Sequence, residues 1–144
     1  MLIEKYFIEN FGVFRGKHTF DLRTNNEPGD HRPLVIFGGR NGTGKTTLFE
    51  GLRLCLYGPN FPGYRLSSPQ YEKYLVRRIH RSKGLSEYEG SSVSLEFQHS
   101  HLGSLSNYFV RRSWNATNNI RERLEVLQNG KPLDGVTDDQ LQDF

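Results

Sequence analysis

Apolar and polar positions along this chain follow two different periods. Leu2–Phe11 is rich in β-branched and aromatic residues and predicts a strand, with Leu2, Tyr6 and Ile8 on one face and Ile3 and Phe7 on the other. Gly12 ends it. Residues 17–22 predict a second strand with Phe20 and Leu22 inward, and the polar residues 23–32 predict a loop. Leu34, Val35, Ile36 and Phe37 form an unbroken apolar run, the pattern of a short strand buried on both faces. From Lys45 to Tyr57 the period becomes helical, with Leu48, Leu52, Cys55 and Leu56 forming one apolar stripe. Gly51 within this helix costs about 1 kcal/mol relative to alanine, which implies close packing at that point. Gly58-Pro59 supplies the stop.

Residues 60–90 give weaker signals, with a short helix expected over residues 72–80. Further on, Val93, Leu95 and Phe97 alternate inward, and Tyr108, Val110 and Trp114 share one side of the next strand. The segment between them contains Gly103, so the pair predicts a hairpin. Residues 123–128 predict another strand, followed by the turn signal Asn129-Gly130. Thr137 and Gln140 have the spacing of a capping box, and Asp138 and Asp139 suit a helix's first turn. A helix opening so near Phe144 predicts that residues 1–144 are part of a longer polypeptide.

Composition narrows the class. The chain has 144 residues, suiting one domain, and its 35% apolar content and ten phenylalanines support a packed core. No run approaches the roughly 18 apolar residues of a membrane span. The N-terminus lacks a basic segment followed by an apolar one, so a cytoplasmic protein with no membrane partner is expected. The single cysteine, Cys55, precludes an internal disulfide. A net charge of +3 says nothing by itself about nucleic acid.

The chemistry concentrates in Gly39-Arg40-Asn41-Gly42-Thr43-Gly44-Lys45-Thr46, which fits the phosphate-binding pattern G-x-x-x-x-G-K-[ST] and is followed by Thr47. Glycines let successive backbone N–H groups turn toward phosphate oxygens. Lys45 brings a charge to the β- and γ-phosphates of ATP, and Thr46 offers a hydroxyl to Mg²⁺. The helix that follows adds the positive end of its dipole. The Asn-Lys-x-Asp motif of a guanine-specific GTPase does not occur in the sequence.

These residues, with Glu9-Asn10-Phe11-Gly12 before them, resemble the N-terminal head of SMC-type ATPases, which include the chromosome-structure proteins and the coiled-coil repair ATPases. The double glycine before Arg40-Asn41, the helix ending Arg53-Leu54-Cys55-Leu56-Tyr57-Gly58, and Tyr108 to Trp114 look like the DndD family, ATPases of bacterial DNA phosphorothioation. The resemblance implies an α/β P-loop fold, the Walker A half of an ABC-like head. A mixed sheet would surround the P-loop helix, with an antiparallel β lobe beside it. It also implies a C-terminal half carrying the signature motif and Walker B acids, a second head joined across ATP, DNA and other DNA-modification proteins as partners, and hydrolysis only in the full-length protein. A coiled-coil ATPase of DNA double-strand-break repair or recombination, or a head that binds ATP without turnover, are the alternatives. A glutamine loop is expected beyond Gln140 and Gln142.

The remaining signals are ambiguous. Arg77, Arg78, Arg81 and Lys83 form the densest basic run, which reads first as solvated surface and second as a contact to DNA phosphates. Arg111 and Arg112 lie in a strand with Trp114, where snorkelling from a core strand is favoured over stacking on single strands. Phe14-Arg15 reads equally as a plain turn or as a reach toward nucleotide. Cys55 reads as core, and the histidines lack metal-ligand spacing.

Overall fold

The computed structural model describes residues 1–23, 34–81, 90–101, 103–115, 120 and 122–141. Strands β1 (Leu2–Phe11) and β2 (Phe14–Asp21) form a hairpin. Helix α1 (Lys45–Tyr57), a single 3₁₀ turn (Gly58–Asn60) and helix α2 (Ser68–Arg78) come next. A long hairpin follows, β3 (Ser91–His101) with β4 (Ser104–Trp114), and then β5 (Arg123–Gln128), β6 (Lys131–Pro132) and the short helix α3 (Asp138–Leu141). The strands make one sheet in the order β2-β1-β3-β4-β5-β6. Between β1 and its neighbour β3 the chain leaves the sheet to build α1 and α2.

The core lies between one sheet face and α1. Tyr6 and Ile8 from β1, Val93, Leu95 and Phe97 from β3, and Val110 and Trp114 from β4 meet Leu54, Cys55 and Leu56 of the helix. Helix α2 adds Tyr71 and Leu75, and the Trp114 indole N–H donates to the Leu75 carbonyl at 2.9 Å. The Cys55 thiol is fully buried, 3.7 Å from the Val93 carbonyl and 3.6 Å from that of Val110, and burial pushes its pKa up to about 12.

The two long hairpin strands and β5 form as the alternation predicts, and Asn129-Gly130 turns β5 into β6 with both residues at positive φ. The Thr137–Gln140 capping box is present, with the Thr137 N–H donating to Gln140 Oε1 at 2.9 Å. Helix α2 starts four residues before the expected residue 72. Ser67 and Gln70 supply its start signal, Gln70 Oε1 accepting from the Ser67 N–H at 3.1 Å and its Oγ–H at 2.9 Å.

Three expectations are corrected. Residues 34–37 form no strand: Leu34 is 72% and Ile36 78% exposed, and the segment has no ladder partner among the described residues. An apolar run becomes a buried strand only beside other strands that take up its N–H and C=O groups. The expected mixed sheet is likewise antiparallel in every described pairing, because the run that would have supplied its parallel member stands outside it. The faces of β1 also change partway. An irregularity in its pairing with β3 between Ile3 and Lys5 brings Ile3 onto the core and leaves Leu2 exposed, while Tyr6 and Ile8 stay inside.

Gly51 of α1 faces Tyr6. A Cβ there would collide with the Tyr6 hydroxyl oxygen and stand 3.2 Å from the Phe11 ring. That hydroxyl donates to the Leu48 carbonyl at 2.9 Å. The close approach outweighs helix propensity, which alone would favour alanine by about 1 kcal/mol. Gly51→Ala is therefore expected to destabilise the fold by about 1–3 kcal/mol in urea unfolding. Combined with Tyr6→Phe, which removes the obstructing oxygen, its cost should shrink. Strict additivity of the two changes would refute the contact.

Candidate functional site

Residues 39–44, for which the sequence predicts a phosphate-binding loop, turn tightly between the exposed segment 34–38 and α1. Gly42 (φ +84°) and Gly44 (φ +101°) occupy the left-handed region that side chains resist. The Thr43 hydroxyl donates to the Arg40 carbonyl at 2.8 Å. The Lys45 ammonium folds back over the loop, donating to the carbonyls of Gly39 at 2.6 Å and Arg40 at 2.8 Å. One cation thus closes the ring from residue 39 to residue 45.

Gly44 is the residue before α1, and among the described residues no side chain caps this helix start. The N–H groups of its first turn therefore keep donor capacity at the positive end of the helix dipole. Thr46 is exposed and Thr47 is buried. The structure thus brings together Gly39, Arg40, Asn41, Gly42, Thr43, Gly44, Lys45, Thr46 and Thr47 as one loop and helix start. The glycine cradle, uncapped donors, ammonium and exposed Thr46 hydroxyl match the chemistry of a nucleotide's phosphates with Mg²⁺.

The turn of the first hairpin supports this loop, a role the sequence signals only weakly through Phe11-Gly12. A Cβ at Gly44 would lie 2.7 Å from Val13 Cγ2 and 2.9 Å from Phe14 Cζ, and one at Gly12 would lie 2.5 Å from Thr47 Cγ2. Phe14 touches the loop, whereas Arg15 is exposed. The turn is in turn tied to the end of α2, the Gly12 N–H donating to the Arg78 carbonyl at 2.6 Å and the His80 N–H to the Asn10 carbonyl at 2.7 Å.

The basic residues separate. Arg78 pairs with Glu50 of α1 and lies over the Tyr74 ring, 5.2 Å from its centroid. Arg77 and Arg81 are exposed, and Lys83 lies outside the described residues. Arg111 pairs with Glu9 at 3.6 Å on the sheet face away from α1. Arg112 does not snorkel: it is 1% exposed on the core face. It pairs with Glu122 at 3.2 Å and Asp138 at 2.5 Å, and its Nε donates to the Cys55 carbonyl at 2.9 Å. Burial opposes its charge, but Glu122, Tyr71 and Asp138 carry its pKa above the ordinary value. Tyr71 donates to Glu122 Oε1 at 2.6 Å, and burial, then the Glu122 charge, raise its own pKa.

Other carboxylates are also engaged away from the loop, Asp21 with Arg23 and Glu96 with Lys5. Among the described residues no three His, Cys, Asp or Glu side chains gather to hold a metal ion by themselves, and no helix is long and apolar enough to cross a membrane.

The family described as AAA domain matches residues 7–144 of the chain. Over 90 residues, 62% of its length, the chain is 31% identical to one of the subunits of nuclease SbcCD from Treponema pallidum (strain Nichols). That stretch spans 7% of the relative's length.

The contrast between Arg78 and its neighbours is measurable. Arg78→Gln leaves the half-buried Glu50 unpaired and is expected to cost about 1 kcal/mol in urea unfolding. Arg77→Gln and Arg81→Gln should stay within about 0.5 kcal/mol of the parent. Equal effects at all three positions would contradict the assignment of Arg78 to the scaffold.

Proposed function

The chain belongs to the AAA domain family, and we propose that it is the ATP-binding part of an SMC-type ATPase that couples ATP binding and hydrolysis to DNA processing. The observation that carries this reading is the uncapped start of α1 beneath a glycine loop closed by Lys45. On binding MgATP, the Lys45 ammonium exchanges the carbonyls of Gly39 and Arg40 for β- and γ-phosphate oxygens. The backbone N–H groups of Gly42 to Thr47 orient the phosphate chain, and the Thr46 hydroxyl serves Mg²⁺. The bound nucleotide and metal supply the electrophilic phosphorus and the charge neutralisation.

The DNA process we favour is phosphorothioate modification, supported by the residue pattern around Arg40-Asn41 and Arg53 to Gly58. A second reading, double-strand-break repair or recombination, rests on the resemblance to the coiled-coil repair ATPases; the SbcCD likeness adds only that the relative is a nuclease subunit. In either reading the working unit is two heads closed across nucleotide, with a C-terminal part of the polypeptide, DNA and other DNA-modification proteins as partners in a cytoplasmic complex. The exposed Arg77 and Arg81, with Lys83, are the candidates of the basic run for DNA phosphates; Arg78 is the weakest, being held by Glu50.

Turnover needs a carboxylate beside the metal and an oriented water. The carboxylates of Glu9, Asp21, Glu50, Glu96, Glu122 and Asp138 are held in ion pairs with Lys17, Arg23, Arg78, Lys5 and Arg112. Following the resemblance to SMC-type heads, we assign the catalytic carboxylate to the C-terminal part of the polypeptide or to a second head.

Two measurements test this. In calorimetry with MgATP, Lys45→Ala should weaken binding by about 1.5–3 kcal/mol through loss of a charge-assisted contact; unchanged affinity would overturn the site. In phosphate release at saturating ATP, the 144-residue chain should stay at background. Turnover that disappears in Lys45→Ala would instead put the catalytic carboxylate within this chain.

A further inference from the structure

Gly12, in the turn between β1 and β2, stands between the first turn of α1 and the residues that leave α2. Toward α1 it lies close against Thr47, where a Cβ would collide with the Thr47 methyl group. Toward α2 both of its peptide polar groups are engaged. Its N–H donates to the Arg78 carbonyl at 2.6 Å, and its carbonyl lies 2.7 Å from His80 Nδ1. A carbonyl can only accept, so Nδ1 of His80 carries the proton and donates. The His80 backbone N–H donates to the Asn10 carbonyl at 2.7 Å. One residue thus holds the turn at two points.

The turn needs such restraint. Asn10 adopts φ +47°, a conformation that side chains resist, and Gly12 follows at φ +58°. Asn10 Oδ1 accepts from the Gly16 N–H at 2.8 Å, which closes the turn on itself. The exit of α2 is in turn fixed to α1 through the pair of Arg78 with Glu50. The contacts therefore form a closed ring: Thr47 against Gly12, Gly12 with Arg78 and His80, and Arg78 with Glu50. Among the hydrogen bonds between residues 78–80 and the turn, the one from Nδ1 is made by a side chain, so substitution can remove it.

We infer that His80 is a positioning residue for the phosphate-binding residues 39–47, acting through Gly12. The inference rests on the ATP-binding reading of that loop. Val13 and Phe14, which follow Gly12, back Gly44 so closely that a Cβ there would stand 2.7 and 2.9 Å from their side chains. Gly44, at φ +101°, is the residue from which α1 starts. Displacement of the turn therefore loosens the residue whose conformation aims the first N–H groups of α1 at a phosphate. Donors held in place beforehand lose less freedom when the ligand arrives. In this role His80 offers no group to the nucleotide and acts by restraining the turn.

The test separates the ring of His80 from its donor. Asparagine keeps a donor near the place of Nδ1 without the ring, phenylalanine keeps the bulk without a donor, and alanine removes both. The backbone bond from residue 80 to Asn10 remains in each. In calorimetry with MgATP, His80→Phe and His80→Ala should weaken binding about fivefold, the scale of one net hydrogen bond, and His80→Asn should bind like the parent. In the ligand-free chain, the ¹⁵N heteronuclear NOE at Val13 and Gly44 should fall in His80→Phe and His80→Ala and stay parental in His80→Asn. Thermal unfolding reports that each variant is folded. Binding in His80→Asn as weak as in His80→Phe assigns the effect to packing and overturns the inference. Parental affinity in both His80→Phe and His80→Ala overturns it as well, where Lys45→Ala binds more weakly than the parent. If the parent and Lys45→Ala bind MgATP alike, the ATP reading fails, and the NOE comparison alone decides whether His80 holds the loop.

Discussion

The arrangement depends on one buried cation. Arg112 enters the core near the C-terminal end of β4, between Val110 and Trp114, where alternation demands an apolar residue. A guanidinium in that position is tolerable only with every donor direction answered. The answers come from separate parts of the chain: the Cys55 carbonyl in the last turn of α1, Glu122 ahead of β5 and Asp138 at the start of α3. Tyr71 of α2 joins through Glu122. Apolar contacts would let these elements slide over the sheet, whereas the planar fork of an arginine accepts partners in few directions. A Cβ at Gly58 would stand 2.8 Å from both Arg112 and Asp138, so the helix terminus itself is shaped around the pair.

The same interaction explains a limit of sequence reading. Alternation located β3, β4 and β5, and helical period located α1, because each reports a face that must be covered. Arg112 breaks the pattern, and its partners lie 10, 26 and 57 residues away, so no local signal announces them. Residues 34–37 fail for the opposite reason: their composition satisfies the rule for a buried strand, but burial depends on neighbours and not on the run itself. The faces of β1 shift at an irregularity in strand pairing, a property of two strands together.

The turn before α1 was the easiest local feature to anticipate, since it rests on the backbone freedom of Gly42 and Gly44 and on one lysine within eight consecutive residues. Its support was less so. Val13, Phe14 and Gly12 come from a hairpin turn about 30 residues earlier, and the end of α2 holds that turn by hydrogen bonds to backbone atoms, which any sequence could provide.

Cys55 gives the molecule an internal clock. Its thiol sits under α1, against the backbones of β3 and β4, with its ionisation suppressed by burial. Alkylating reagents require a thiolate that they can reach, so the closed molecule is inert to them. Each modification event therefore counts a departure of the helix from the sheet. Because that helix carries the glycine loop at its opposite end, a ligand seated there would slow the count without approaching the sulfur.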